Sequence, residues 1–383
     1  MRRLGKRLAV SALCACMMLG VAGCGGSDNG KKADSKSTEI EQVYTADEAK
    51  NTKALVIGDY DIDLDELTLY AMQEITMYGV TSDSLTDDKT IEQNKEYALS
   101  LLRQNKIIYN VAINNDASLD DSDMEYINTT IDAFKKKMGQ KVLDAYGISD
   151  EVINKVFQEQ GLVSKFQNDI KNDMGQKIQN DLEDKYKDTK FYTYYYMLFP
   201  TVEIDDSGNP KKDDNDNYIY VSDDKKKEAK ANAEAALKEL KAGSGYEDVA
   251  DKYGVKEYSS EQTGFDGAYS DENMNKKMAS LKNNECLDVV DDTLGYSVIQ
   301  MINCDDTSYK ESYINYYTSD TLSSQYEKLQ NTWLATIPVD QENDLEGTVW
   351  KDYDFKKLVQ NLENAGVVGS PDGATSASSS AAN

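Results

Sequence analysis

The most β-favouring run of the chain is Phe191-Tyr-Thr-Tyr-Tyr-Tyr-Met-Leu-Phe-Pro200. Aromatic and apolar residues fit a pleated, packed surface, and the proline closes the run, so it predicts a strand. Val289-Val290 and Gly295-Tyr-Ser-Val-Ile-Gln-Met-Ile302, separated by a short polar turn, predict a closing hairpin. Between these ends Ala229, Ala233, Ala236, Leu237 and Leu240 recur at helical spacing. Ser222 stands at the start of that helix as a cap, with Asp223 and Asp224 in the favourable first turn. Val202-Glu-Ile204 and Tyr218-Ile-Tyr-Val221 bracket an aspartate-rich polar run and predict an extra hairpin or loop. Strands at both ends with helices between predict one small α+β unit.

The flanks are helical in pattern. Ala54-Leu-Val-Ile57 predicts a short strand turned by Gly58-Asp59. Asp63 with Glu66 offers a capping box for a helix carrying Leu64, Leu67, Ala71, Ile75 and Tyr78 on one face. Further helices are predicted over 91–114, from a Ser122/Glu125 cap to Met138, from a Ser149 cap to about Gln160, and over 162–186. After the α+β unit, Ser319 to Trp333 and Asp352 to Leu362 are helical, and Ile337-Pro-Val339 is extended. The expected fold class is α+β, a mostly helical domain with a small α+β domain inserted into it.

The N-terminus changes the picture. Arg2, Arg3, Lys6 and Arg7 precede an apolar run from Leu8 to Gly20, too short to span a bilayer. Val21-Ala22-Gly23-Cys24 then resembles a bacterial lipobox, which implies a signal segment over 1–24 that is cut before Cys24 and a lipid on Cys24 as the new first residue. Residues 25–53 are polar and read as a flexible stalk of about 30 Å reach. The parts that follow are a helical segment over 54–188, the α+β unit over 189–306, a segment over 307–362 that completes the helical domain, and a disordered tail over 363–383.

Net charge is −27, which speaks against a phosphate-binding surface and hence against nucleic acid. The chain has no histidine, which removes Ser-His-Asp and Cys-His nucleophiles and histidine-ligated zinc. No Walker loop or dinucleotide glycine pattern is present, the aspartate run lacks the EF-hand glycine and glutamate, and no cofactor or metal is expected. Cys286 and Cys304 flank the final hairpin. Two separate buried thiols are the favoured reading, and a disulfide is the alternative open to an exported protein.

Several blocks in order resemble a parvulin-type peptidyl-prolyl isomerase domain. These are Tyr196-Met-Leu-Phe199, the helix ending Leu240-Lys-Ala-Gly243, Tyr246-Glu-Asp-Val-Ala250 with Tyr253, the turn Thr263-Gly-Phe-Asp-Gly267, Ala279-Ser-Leu281, and Gly295-Tyr-Ser-Val-Ile299. The strand-turn-helix opening at 54–78 is similar to that of SurA and PrsA-like foldases, whose C-terminal segment folds back onto the N-terminal domain. The resemblance implies an extracytoplasmic folding factor acting on unfolded exported polypeptides, held by its N-terminal lipid to the membrane of a Gram-positive cell. An alternative is a degenerate holdase or scaffold that binds unfolded chains without isomerising them. A two-lobed solute-binding lipoprotein is disfavoured, because such proteins repeat α/β units.

The same resemblance places Tyr196 and Ser297 where parvulins carry their two active-site histidines, and implies them as catalytic residues. Leu198, Phe265 and Met278 are implied as the walls of a proline pocket. Glu257 and Glu261 are the acidic residues nearest the family's central Cys or Asp. Prolyl isomerisation needs neither nucleophile nor metal. Its barrier of about 18–20 kcal/mol is amide resonance, which desolvation and well-placed hydrogen bonds relieve.

Overall fold

The structure is a computed structural model that describes residues 40–205, 208–336 and 348–369. Cys24 with its preceding apolar segment, Ile337-Pro-Val339 and the chain beyond Gly369 lie outside the described residues. The fold is a mostly helical α+β one with two small antiparallel sheets. Two compact units make it up: Met1–Asp173 with Ser323–Asn383, and Met174–Leu322. Among the described residues no helix is long and apolar enough to cross a membrane.

The helical unit begins inside the segment read as a stalk. Helix α1 (Ala46–Asn51) is fixed by a capping box between Thr45 and Glu48, and Ala49 is buried. A Thr-x-x-Glu pair within a polar run was enough to start a helix there. Strands β1 (Lys53–Ile57) and β2 (Tyr60–Asp63) form a hairpin, of which only the first strand is legible in the hydrophobic pattern. Helix α2 (Leu64–Tyr78) follows without the expected Asp63/Glu66 box. The Glu66 carboxylate is instead drawn into the interior, 2.6 Å from Lys106 Nζ and 2.8 Å from Lys155 Nζ.

Helix α3 (Asp88–Asn114) is capped by Asp87, and α4 (Asp121–Met138) by Asp120 rather than Ser122, whose hydroxyl donates to Asp120. After α5 (Gln140–Ala145), a single helix α6 (Asp150–Lys185) occupies the span read as two. Gly161 does not break it. A Cβ there would lie 2.4 Å from Ile127 Cδ1 on α4, so the glycine serves close helix approach.

The second unit is built on β3 (Phe191–Pro200), which is hydrogen-bonded along both edges and packed on both faces. Helices α7 (Asp223–Lys241) and α8 (Tyr246–Lys252) pack on one face against Met197, Phe199 and Val298. The aspartate-rich loop before α7 holds bridges Val202↔Tyr220 and Lys212↔Tyr218. Strand β4 (Ser259–Phe265) pairs with β3, and α9 (Glu272–Ser280) packs with Tyr192, Tyr194, Ile299 and Met301 on the opposite face. Strands β5 (Val290–Asp292) and β6 (Gly295–Asn303) complete an antiparallel sheet of order β4-β3-β6-β5. Gly295 starts β6 because a Cβ there would sit 2.1 Å from the Phe199 carbonyl oxygen.

Cys286 bridges to Gln300. Side chains alternate along strands, and Cys286 packs on the α7/α8 face while Cys304 packs on the α9 face. Both thiols are free, and both are half-buried rather than buried.

Helix α10 (Thr307–Leu334) starts twelve residues before the helix expected at Ser319. The boundaries between the two units fall within α6 and α10. In the helical unit, helix α11 (Phe355–Asn364) buries Phe355, Leu358, Val359 and Leu362. The Thr68 hydroxyl donates to Tyr353, Asn361 donates to Tyr146, and Ser82 donates to Glu363, which ties the C-terminal segment to the N-terminal helices.

Candidate functional site

The site lies on the α9 face of the second unit. Tyr196 stands in the middle of β3, paired with Ser260 on β4 and Ile299 on β6. Strand β3 is hydrogen-bonded on both sides, which restrains it within the sheet. The Tyr246 hydroxyl adds a bond to the Tyr196 carbonyl at 2.5 Å while its ring stacks on Tyr195 at 4.0 Å. The Tyr196 backbone is thereby fixed from the far face, and its half-buried ring stands on the near one.

The hydroxyls of Tyr196 and Ser297 meet. Ser297 Oγ donates to Tyr196 Oη at 2.9 Å, and Tyr196 Oη donates to Asp292 Oδ2 at 3.2 Å. Ser297 Oγ also lies 3.4 Å from that carboxylate oxygen. Loss of solvent, chiefly, together with the Asp292 charge pushes the Tyr196 phenol up to about 12. It therefore stays protonated at neutral pH, and can act by hydrogen bonding but not as a phenolate. Beside it, Tyr269 donates to Tyr194 at 2.9 Å, and burial holds the Tyr269 phenol far above its ordinary range.

The residues singled out from sequence fall into distinct places. Tyr196 and Leu198 are half-buried on the α9 face, with Leu198 paired to Ser297. Ser297 is 1% exposed, and its hydroxyl is turned to Tyr196 and not to solvent. Met278 is fully buried against Tyr192, Ile299 and Met301, and supports the floor from beneath instead of walling an open pocket. Phe265 is not at the site. The Thr263-Gly-Phe segment extends β4 instead of turning, and Phe265 packs with Phe191, Tyr186 and Tyr313 at ring distances of 5.2, 5.7 and 5.3 Å.

Glu261 pairs with Tyr195, hence on the α7/α8 face, and Glu257 is exposed in a one-turn helix. The acidic member of the site is Asp292, which sequence reasoning missed. The signal was present: Val290 opposite Ser297 puts Val290 on the α9 face, and a period of two puts Asp292 there as well. Ser260, exposed and paired with Tyr196, was missed for want of a β3/β4 register.

A cleft of about 630 Å³ opens elsewhere, at the α7–α8 turn, lined by Lys241, Ser244, Tyr246, Asn284 and Gln300. Among the described residues no group of three or more Cys, Asp or Glu is arranged to hold a metal ion.

Comparison with known families gives the class of this unit. The model of the PPIC-type PPIASE domain matches residues 214–305, about a quarter of the chain. The second unit is thus similar to PPIC-type peptidyl-prolyl isomerase domains, as the sequence blocks implied. Asp292, Ser297 and Met278 lie within the match. Tyr196 and Leu198 lie before it, on the far side of the inserted loop.

Among particular proteins, the chain is similar to PrsA foldases of solved structure. PrsA from Bacillus subtilis is 16% identical, with 79% of this chain and 98% of that one covered and a TM-score of 0.23. The foldase protein PrsA from Streptococcus pneumoniae is 16% identical, with 79% and 100% covered and a TM-score of 0.26. For PrsA from Lactococcus lactis the values are 13%, 76%, 96% and 0.30. Scores of this size describe loose superpositions of whole chains. No curated protein matches the sequence.

Proposed function

We propose that this protein is a folding factor for unfolded exported polypeptides, with a parvulin-type unit whose isomerase activity is weak. The supporting observation is the Tyr196–Ser297 hydrogen bond on the α9 face of a unit similar to PPIC-type domains. Two hydroxyl residues at the histidine-equivalent positions keep a polar floor under a half-buried ring, and leave that floor without a group that titrates near neutrality. A second reading, a holdase that binds without turnover, is favoured by the burial of Ser297 and Met278, which leaves little depth at the site for a proline ring.

Wild-type protein at equimolar ratio should suppress aggregation of a chemically unfolded client followed by light scattering. Its rate enhancement on a prolyl peptide should be small, and replacing both Tyr196 and Ser297 with histidine should increase it without changing aggregation suppression. Strong wild-type isomerisation that Tyr196→Ala leaves untouched would mean the site is placed wrongly.

The proposal includes anchoring by a lipid on Cys24 at the extracytoplasmic face of a Gram-positive cell membrane, with no nucleic-acid partner. Cys24→Ala should shift the protein from the membrane fraction to the medium. Retention on the membrane, with an unmodified N-terminal peptide by mass spectrometry, would remove the anchor from the account.

A further inference from the structure

We propose that Asp292 is a positioning residue that turns the Tyr196 hydroxyl proton away from a bound peptide, and by doing so limits prolyl isomerisation. This rests on reading the α9 face as the prolyl-peptide site. A carboxylate only accepts hydrogen bonds. Tyr196 therefore commits its proton to Asp292 Oδ2 at 3.2 Å, and Ser297 commits its own to Tyr196 Oη at 2.9 Å. Both hydroxyl protons at the histidine-equivalent positions run towards one carboxylate, and neither is left for substrate.

That matters for the chemistry. As the peptide bond twists, the prolyl nitrogen loses resonance and gains a lone pair able to accept a hydrogen bond. A donor aimed at that nitrogen lowers the barrier, because the bond forms only in the transition state. Tyr196 carries the half-buried hydroxyl of the pair, and the structure directs its proton elsewhere.

A purely structural role for Asp292 accounts for half of its contacts. Oδ1 accepts from the Thr293 backbone N–H at 2.6 Å and closes the β5–β6 turn. The turn makes no use of Oδ2, which faces Tyr196 and Ser297. Asp292 is itself exposed at the end of a strand, so substitution there disturbs little packing.

Asp292→Asn separates the two roles. Asparagine retains the Oδ1 acceptor for Thr293 and presents an NH2 donor where Oδ2 stood. Tyr196 then accepts, and its own proton is released. Asp292→Ala removes the acceptor altogether and covers the case in which the asparagine amide rotates. Two quantities would be read on the full chain: isomerisation of a prolyl peptide by exchange NMR, and the titration of Tyr196 by its ¹³Cζ resonance, assigned with Tyr196→Phe.

In both variants Tyr196 should titrate at lower pH than in wild type, and kcat/KM should rise about tenfold or more. An unchanged Tyr196 titration would overturn the proposal, because the hydroxyl would not be held by Asp292. A lowered titration with flat isomerisation would overturn it too, because the proton would not be what limits turnover. Aggregation suppression by wild type in the same samples reports separately on the folding-factor reading.

Discussion

Replacing Lys106 with methionine should destabilise the helical unit by about 3–5 kcal/mol. Its ammonium is 1% exposed between Glu66 Oε1 at 2.6 Å and Glu159 Oε2 at 2.5 Å. Methionine fills similar volume, so the loss is electrostatic: two buried carboxylates remain, with the half-exposed Lys155 beside Glu66 as their remaining close cation. Burial already raises Glu159, and Lys106 is the largest influence pulling it back down. Without that lysine the carboxyl takes up a proton more readily on folding. Because a group whose folded pKa is raised stabilises least above that pKa, the variant should lose more at pH 8 than at pH 5. Urea unfolding at both pH values checks this. A loss below about 1 kcal/mol at pH 8, or equal losses at both, would show that solvent reaches the cluster.

Glu74 gives the second large effect, of opposite sign. It is fully buried in α2, neither carboxylate oxygen has a hydrogen-bond partner among the described residues, and loss of solvent pushes its pKa from 4.5 to about 8. The folded state holds a proton that the unfolded state releases above pH 4.5. Stability therefore falls as pH rises from about 4.5 to about 8, by roughly 3–5 kcal/mol over the whole window. Glu74→Leu removes the titrating group and keeps an apolar side chain of similar size. It should be more stable than wild type at pH 8 by about 2–4 kcal/mol and closer to it at pH 5. Parallel stability-against-pH curves for the two proteins would contradict this origin of the slope.

Much of the second unit was legible because its signals are local. A ten-residue aromatic run makes a central strand, and the Ala-rich stripe makes a helix whose buried face is the one expected. What failed was decided by distant partners. Gly161 looked like a helix boundary until Ile127 from α4 was seen to need the space. Glu66 looked like a cap until Lys106 and Lys155 claimed its carboxylate. Thr263-Gly-Phe looked like a turn, yet β3 offered it a pairing partner, and Phe265 went to an aromatic cluster instead of the site.

The site itself was half visible. Matching Tyr196 and Ser297 to the histidine-bearing positions brought together residues a hundred apart, and their hydroxyls are hydrogen bonded. Burial was invisible: the same pattern fits a Ser297 that faces a peptide and one that lies beneath Tyr196. Asp292 was hidden for a different reason, since in a chain with 69 acidic residues a single aspartate in a turn carries no signal until the strand register gives it a face.

The central claim is that the protein binds unfolded chains and isomerises prolyl bonds weakly through a Tyr196-centred site. Its most direct test is a two-assay comparison on one wild-type preparation, light scattering of an unfolding client beside exchange NMR of a prolyl peptide. The account predicts suppressed aggregation at equimolar protein together with slow isomerisation that Tyr196→Ala lowers further. Aggregation that proceeds as if no protein had been added would contradict it.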